Sequence, residues 1–153
     1  MTKQERVMDV IGKAPVAVCT TINADGYPES RALLNLANRE QYPGVSQLHG
    51  LVGNSIVLYF TTNTASSKMK QFAADPRTSM YYCLPDEFRG VWVSGDIEVV
   101  YDIQEKKRFW VDGWEMYYPK GYSDPDYAIL RLQAKRIRGY ENFLVFELDK
   151  SEL

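Results

Sequence analysis

The sequence predicts a mainly β chain, an antiparallel β-barrel of six to seven strands with short helices. Extended runs rich in β-branched and aromatic residues recur at short spacing, and the helical patterns between them are few and brief. Aromatic residues make up 13% of the chain, a share that suits pleated, half-buried surfaces. Closure, or near closure, is how such sheets avoid bare edges. At 153 residues the chain can bury one sizeable core, so residues 1–153 read as one domain.

The elements follow in order. Thr2 with Glu5 three residues on forms a capping box, and Gly12 and Pro15 supply a stop, so the first element is a short amphipathic helix. Val16 to Ile22 is a β run ending at Asn-Ala-Asp-Gly, and Pro28 to Leu36 is extended again, which makes a hairpin. Ala37 to Asn54 carries Pro43, Gly44, Gly50 and Gly53 without a sustained period and reads as an irregular excursion around one helical turn. Ser55 to Thr61 is apolar at successive positions, as in a central strand covered on both faces. Ala65, Met69, Phe72 and Ala73 then mark one helix face that Asp75-Pro76 terminates. Thr78 to Leu84 is a strand, and Val91 to Tyr101 alternates with period two over the longest stretch of the chain. Asp102 and Glu105 open a helix carrying Ile103, Phe109 and Trp110. An aromatic, turn-rich segment over 112–126 precedes two last strands, Ala128 to Ile137 and Phe143 to Leu148, joined across 138–142.

Composition excludes several functions. Eighteen Lys+Arg against 20 Asp+Glu leave a net charge of -2, which argues against nucleic acid or an anionic membrane held by bulk charge. His49 is the single histidine and Cys19 and Cys83 lie far apart, so no metal site is expected, and no Ser-His-Asp logic can be assembled without His49. His49 reads as a surface or loop residue, and the cysteines as small buried hydrophobes. The longest apolar run, Ile56 to Phe60, is far short of the ~20 residues that cross a bilayer. Without a secretory leader the expected address is the cytoplasm.

Two stretches carry the candidate chemistry. After Thr61 and Thr62, a helix starts with Ser66, Ser67 and Lys68 in its first turn, where free N–H groups and the helix dipole favour an anion. These hydroxyls either cap the helix or outline a phosphate site. Arg31, flanked by apolar residues in an extended run, either snorkels at a barrel rim or aims its rigid fork at an anion.

With the hairpin TTINADGYPESRALLNL, the run LYFTTNTASSKMKQFAADPRTSMYY, the long strand VWVSGDIEVVYD and the tail FWVDGWEMYYPKGYSDPDYAILRL in this order, the chain resembles the pyridoxamine 5′-phosphate oxidase-like family of flavin-binding split barrels, close to its general-stress-protein branch. The resemblance spans nearly the whole chain and implies FMN as cofactor. By it, Arg31, Ala32, Leu33 and Leu34 lie along the flavin, with Arg31 on the phosphate and main chain of Leu33 and Leu34 on the ring. Thr61 and Thr62 line the ring and ribityl chain, and Ser66, Ser67 and Lys68 complete the phosphate pocket. The family often has arginine where Ser67 stands, which implies one charge fewer. Residues near Arg89, Gly90 and Trp92 of a second chain close the site, which implies a homodimer.

The resemblance also sets limits. The founding oxidase continues into a C-terminal segment whose tryptophan and arginine serve flavin and substrate, and this sequence stops at Leu153 without that pair, so oxidation of the vitamin B6 phosphate itself is not expected. In the stress-protein branch a Trp-containing helix and a Tyr-Pro-x-Gly turn are matched by Trp110, Tyr117, Tyr118, Pro119 and Gly121, which either fill the barrel end or face the ring. The expected function is flavin redox chemistry on a small unidentified substrate, with no protein acid or base singled out. The alternatives are a flavin carrier or sensor without turnover, and a barrel that holds a deazaflavin or haem.

Overall fold

The computed structural model describes residues 1–52 and 55–153. Helix α1 (Lys3–Lys13) opens with the expected capping box: Glu5 N–H donates to Thr2 Oγ1 at 3.1 Å and Thr2 N–H to Glu5 Oε2 at 2.7 Å. Its C-terminal carbonyls are taken by two buried amides, Asn35 on Ile11 and Ala14 and Asn38 on Lys13 and Ala14. Such capture satisfies acceptors that a helix end leaves open. It also ends β2 (Pro28–Leu34) two residues before Leu36, where the extended run was expected to end.

Nine strands are present among the described residues. They are β1 (Val16–Ile22), β2, β3 (Gly50–Val52), β4 (Ser55–Asn63), β5 (Arg77–Leu84), β6 (Arg89–Val100), β7 (Tyr127–Gln133), β8 (Arg136–Glu141) and β9 (Leu144–Glu147). The order is β2-β1-β5-β6-β7-β4-β3, with β8 on β6 and β9 on β8, and every pairing is antiparallel. The mainly β, split-barrel fold is therefore as expected, with nine strands in place of six to seven and three corrections to their positions. The run expected as one strand over 128–137 is two, broken at Ala134-Lys135, and β8 occupies the residues expected to be a turn. The three-residue β3 lies inside the expected excursion, whose one helical turn is α2 (Pro43–Ser46) and whose last residues, 53 and 54, lie outside the described residues. And β4 is covered on both faces but stands second from the end of the order.

The break after β7 is imposed by the neighbouring strands. One edge of β6 pairs with β8 over Gly90–Ser94 and then with β7 over Ile97–Val100. At the switch, Lys135 N–H donates to Ser94 O and Ala134 N–H to Ile56 O, so the chain crosses from one ladder to the next without losing main-chain partners. The sheet thereby branches at Gly95.

Two apolar cores result. One fills the barrel with Ile11, Cys19, Leu58, Phe60, Met80, Tyr82, Val93 and Leu132. The other lies outside β4 and β7, where Val57, Tyr59, Tyr127 and Ile129 meet Leu36, Phe109 and Trp114. Continuous hydrophobicity along β4 is explained by these two cores, since its alternate residues feed one each. Helix α3 (Ser67–Ala74) follows β4 and α4 (Ile103–Arg108) follows β6, with the Asp102 carboxylate accepting from Gln104 and Glu105 N–H. No described helix is long and apolar enough to cross a membrane.

Candidate functional site: a cleft where the barrel is split

Among the described residues, strand β2 pairs only with β1, and β3 covers only Ser55–Val57 on the free edge of β4. Beyond Val57 that edge faces β2 without ladder hydrogen bonds among the described residues. Between the two edges lies a cleft of about 690 Å³, within the ~300–1,000 Å³ of small-molecule sites. Val16, Ala32, Leu33 and Leu34 form one wall, Thr61, Thr62 and Asn63 the other, and Lys68 stands at the end next to α3.

Lys68 has no acidic partner among the described residues. Burial, reinforced by the neighbouring Arg31 guanidinium, lowers its ammonium below the ordinary lysine value. Two cations held side by side in a half-buried place are unfavourable unless an anion joins them. Lys68 belongs to the opening turn of α3, and such a turn leaves N–H groups without intrahelical partners, a setting that favours an anion. Ser66 is the N-cap residue, but its hydroxyl does not cap; it lies 3.4 Å from Thr62 Oγ1. Ser67 is exposed and outside the cleft wall. Asp126 Oδ1 accepts from Thr64 Oγ1 at 3.0 Å and Ala65 N–H at 3.3 Å, which fixes the turn from which α3 starts.

Arg31 lies beside this end rather than in the cleft wall. Its Nη1 donates to Thr21 Oγ1 at 2.6 Å and Glu29 O at 3.0 Å, and its Nη2 contacts the Glu29 carboxylate at 3.0 Å and Gln71 Oε1 at 2.9 Å. It is neither solvated nor snorkelling.

The open side of the cleft carries an aromatic wall. Gly113 adopts φ 100°, a value that strains any side chain, and this turn starts a 3₁₀ segment, Trp114–Met116. Trp114, Met116, Tyr117 and Tyr118 thereby line the cleft. Burial, with Asp126 and Asp124 nearby, raises the Tyr118 phenol above its ordinary value, so it stays a protonated donor. Trp110 stands behind this wall, edge-on to Trp114 at 5.8 Å and to Tyr127 at 5.2 Å. Trp114, Met116 and Asp126 were not singled out by sequence reasoning. The Asp-Gly dipeptide before Trp114 was the one available signal, because it marks the turn that aims the indole.

Of the expected site residues the structure brings together Ala32, Leu33, Leu34, Thr61, Thr62 and Lys68 in the cleft, with Arg31 and Ser66 beside them. Trp92 does not line the cleft of its own chain. It lies on the outer face of the sheet, in register with Tyr81 and Arg138 and under the guanidinium of Arg138 at 5.7 Å. Arg89 is drawn inward, to Asp9 at 2.8 Å and Glu141 at 3.3 Å. His49 sits in a loop as expected, and it is half-buried there. Both ring nitrogens face main-chain carbonyls, Nε2 at 3.0 Å from Tyr59 O and Nδ1 at 3.1 Å from Val45 O.

Comparison with known proteins agrees with this geometry. The family model described as pyridoxamine 5′-phosphate oxidase matches residues 4–141. A protein related to general stress protein 26 of B. subtilis, from Clostridium acetobutylicum, superposes with a TM-score of 0.76 at 21% identity, covering 99% of both chains. A haem-binding protein from Mycobacterium smegmatis superposes at 0.69 with 15% identity, over 99% of this chain and 60% of that one. A pyridoxamine 5′-phosphate oxidase-related, FMN-binding protein from Nostoc punctiforme does so at 0.59 with 14% identity, over 97% and 89%. No curated protein matches the sequence. The split between β2 and β4, the run from Arg31 to Leu34 on one side of it and the match over 4–141 place the chain in the pyridoxamine 5′-phosphate oxidase family.

Proposed function

We propose that the chain binds FMN in the β2/β4 cleft and works as a homodimeric, cytoplasmic flavin-dependent oxidoreductase on a small substrate. The observation that carries this reading is the pair Arg31 and Lys68, two adjacent cations of which Lys68 has no acidic partner among the described residues, at the end of a cleft the size of a cofactor site. The donor set fits a flavin phosphate: a forked guanidinium, an ammonium and the first N–H groups of α3. Ser67 in place of a third cation leaves the grip dependent on these two.

Bound there, FMN would supply the hydride or electron transfer itself. The protein's part is to hold and shield it. Main chain at Leu33 and Leu34 on one wall of the cleft and the hydroxyls of Thr61 and Thr62 on the other offer polar contacts. Trp114, Tyr117 and Tyr118 offer flat apolar surface to a ring and exclude water from it.

The dimer is supported by a cross-strand row on the outer face of the sheet. Ala32 pairs with Val18, Val18 with Tyr81, Tyr81 with Trp92 and Trp92 with Arg138. Ala32 and its neighbour Leu34, which is 49% exposed, belong both to this face and to the cleft. A second copy resting on the row would therefore cover the cleft as well.

The test is the visible spectrum of the purified protein, followed by FMN titration through quenching of flavin fluorescence. A flavin spectrum, or saturable quenching, is the expected result; a colourless protein that leaves flavin fluorescence unchanged overturns the reading. The haem alternative predicts a Soret band instead. His49 offers such a haem no ligand in the cleft, because it lies outside the lining and both its nitrogens face main-chain carbonyls. A flavin carrier without turnover predicts bound flavin that neither NADH nor NADPH reduces anaerobically.

A further inference from the structure

Glu29 stands two residues before Arg31 on β2, on the same face of the strand. Its Oε2 lies 3.0 Å from Arg31 Nη2 and accepts from Gln71 Nε2 at 2.7 Å. Gln71, on α3, turns its own Oε1 to Arg31 Nη2 at 2.9 Å and takes the Thr21 hydroxyl as a second donor. Nη1 of Arg31 is used by Thr21 Oγ1, by Glu29 O and, at 3.4 Å, by Cys19 O. The four N–H bonds on the two terminal nitrogens are thus engaged within the chain, which leaves only the Nε–H.

A phosphate that takes Arg31 through its fork needs two of these N–H groups. Main-chain carbonyls of β1 and β2 cannot leave without breaking the hairpin, and the Thr21 hydroxyl is fully buried. The Glu29 carboxylate is different, since it is 47% exposed and ends a flexible side chain. Among the described residues it is the one anion seated on Arg31, and it is more exposed than the half-buried Gln71 and the buried Thr21.

We propose that Glu29 is an internal competitor for the anion end of the cleft, occupying the place on Arg31 that a flavin phosphate takes and yielding to it. This rests on the FMN reading above and deepens it: Glu29 sets how tightly the phosphate is held and makes that affinity lower than Arg31 and Lys68 alone would give. Once displaced, the carboxylate stays near the phosphate dianion and repels it, which adds to the same effect. A flavin without phosphate gains nothing from displacing Glu29, so the competition concerns FMN and not riboflavin.

The experiment is a pair of titrations, FMN and riboflavin, by quenching of flavin fluorescence, on the wild-type chain and on Glu29→Gln. The amide keeps the shape and the contact with Gln71 but not the charge. FMN binding is expected to tighten about three- to tenfold in the variant, the scale of one exposed ion pair plus the repulsion it removes, with riboflavin unchanged. Glu29→Ala is to move in the same direction, with thermal unfolding as the check that both variants fold. Unchanged or weaker FMN binding would mean that Glu29 merely positions Arg31, and would overturn the proposal while leaving the FMN reading intact. Equal tightening of riboflavin overturns it too, since the effect would not be on the phosphate. Failure of all three proteins to bind either flavin removes the FMN reading and this proposal together.

Discussion

A Cβ placed on Gly95 would lie 2.4 Å from the carbonyl oxygen of Gln133, and only 3.0 Å from the Leu132 side chain. Gly95 sits where one edge of β6 leaves β8 for β7, so the barrel branches at a point that has no room for a methyl group. The obstructing atom is main chain, held within the β7 ladder, and cannot swing aside. Gly95→Ala is expected to cost about 3 kcal/mol, the upper range for overpacking, and to lower the urea midpoint accordingly. A variant as stable as the wild type would mean that the branch point is loosely packed.

Much of this fold was legible in local pattern. The caps of α1 and α4, the hairpin of β1 and β2 and the long alternation of β6 are set by neighbours a few residues away, which a sequence displays directly. The division of β7 from β8 was not, because no proline, glycine or other turn residue marks Ala134-Lys135; the break is imposed by Ser94 and Ile56, whose carbonyls take the two N–H groups from distant strands. The site divides in the same way. Lys68 and the Thr61-Thr62 strand end were legible as a strand-to-helix junction. Trp114 was obscured by its neighbour Trp110, since which indole reaches the cleft depends on the φ of Gly113 and on Tyr127 packing against Trp110.

Lys68→Met separates binding from stability. Removing the ammonium relieves its desolvation and its repulsion with Arg31, so the melting temperature of the variant is expected to rise. FMN binding is expected to weaken by the ~1.5–3 kcal/mol of one charge-assisted hydrogen bond, or roughly 10- to 150-fold. Differential scanning fluorimetry and flavin quenching read the two effects. A variant that loses stability and binding together would indicate an unnoticed structural role for the ammonium.

His49 makes the fold sensitive to mild acid. Burial holds its imidazole below the ordinary 6.5, and the hydrogen bonds to Tyr59, Ser46 and Val45 carbonyls oppose that only in part, while Arg108 adds to it. Above about pH 6.5 the ring is neutral in folded and unfolded chains and contributes no slope. As pH falls below this value the unfolded chain takes up the proton first, so stability declines until the folded chain's lower value is passed. Urea unfolding at pH 7.5 and 5.5 is expected to reveal the decline in the wild type and a smaller one in His49→Gln. Equal declines would assign the acid sensitivity to other groups.

The row from Ala32 through Val18, Tyr81 and Trp92 to Arg138 gives the dimer a specific test. Tyr81 is 44% exposed at the centre of the row, and its phenol lies over Gly90, so its ring is presented outward on a flat sheet face. A carboxylate at this position costs a free chain little, because it remains in water. Buried against a second copy it would have to lose that water without a partner, a penalty of several kcal/mol. Tyr81→Glu is therefore expected to leave thermal unfolding of the free chain nearly unchanged while it converts a dimer to a monomer by light scattering. Because Ala32 and Leu34 serve the row and the cleft alike, the same variant is expected to bind FMN more weakly although it touches no residue of the cleft. A wild-type chain that is monomeric at micromolar concentration would remove the dimer and leave the cleft open to solvent, and a Tyr81→Glu variant that remains dimeric would place the interface elsewhere.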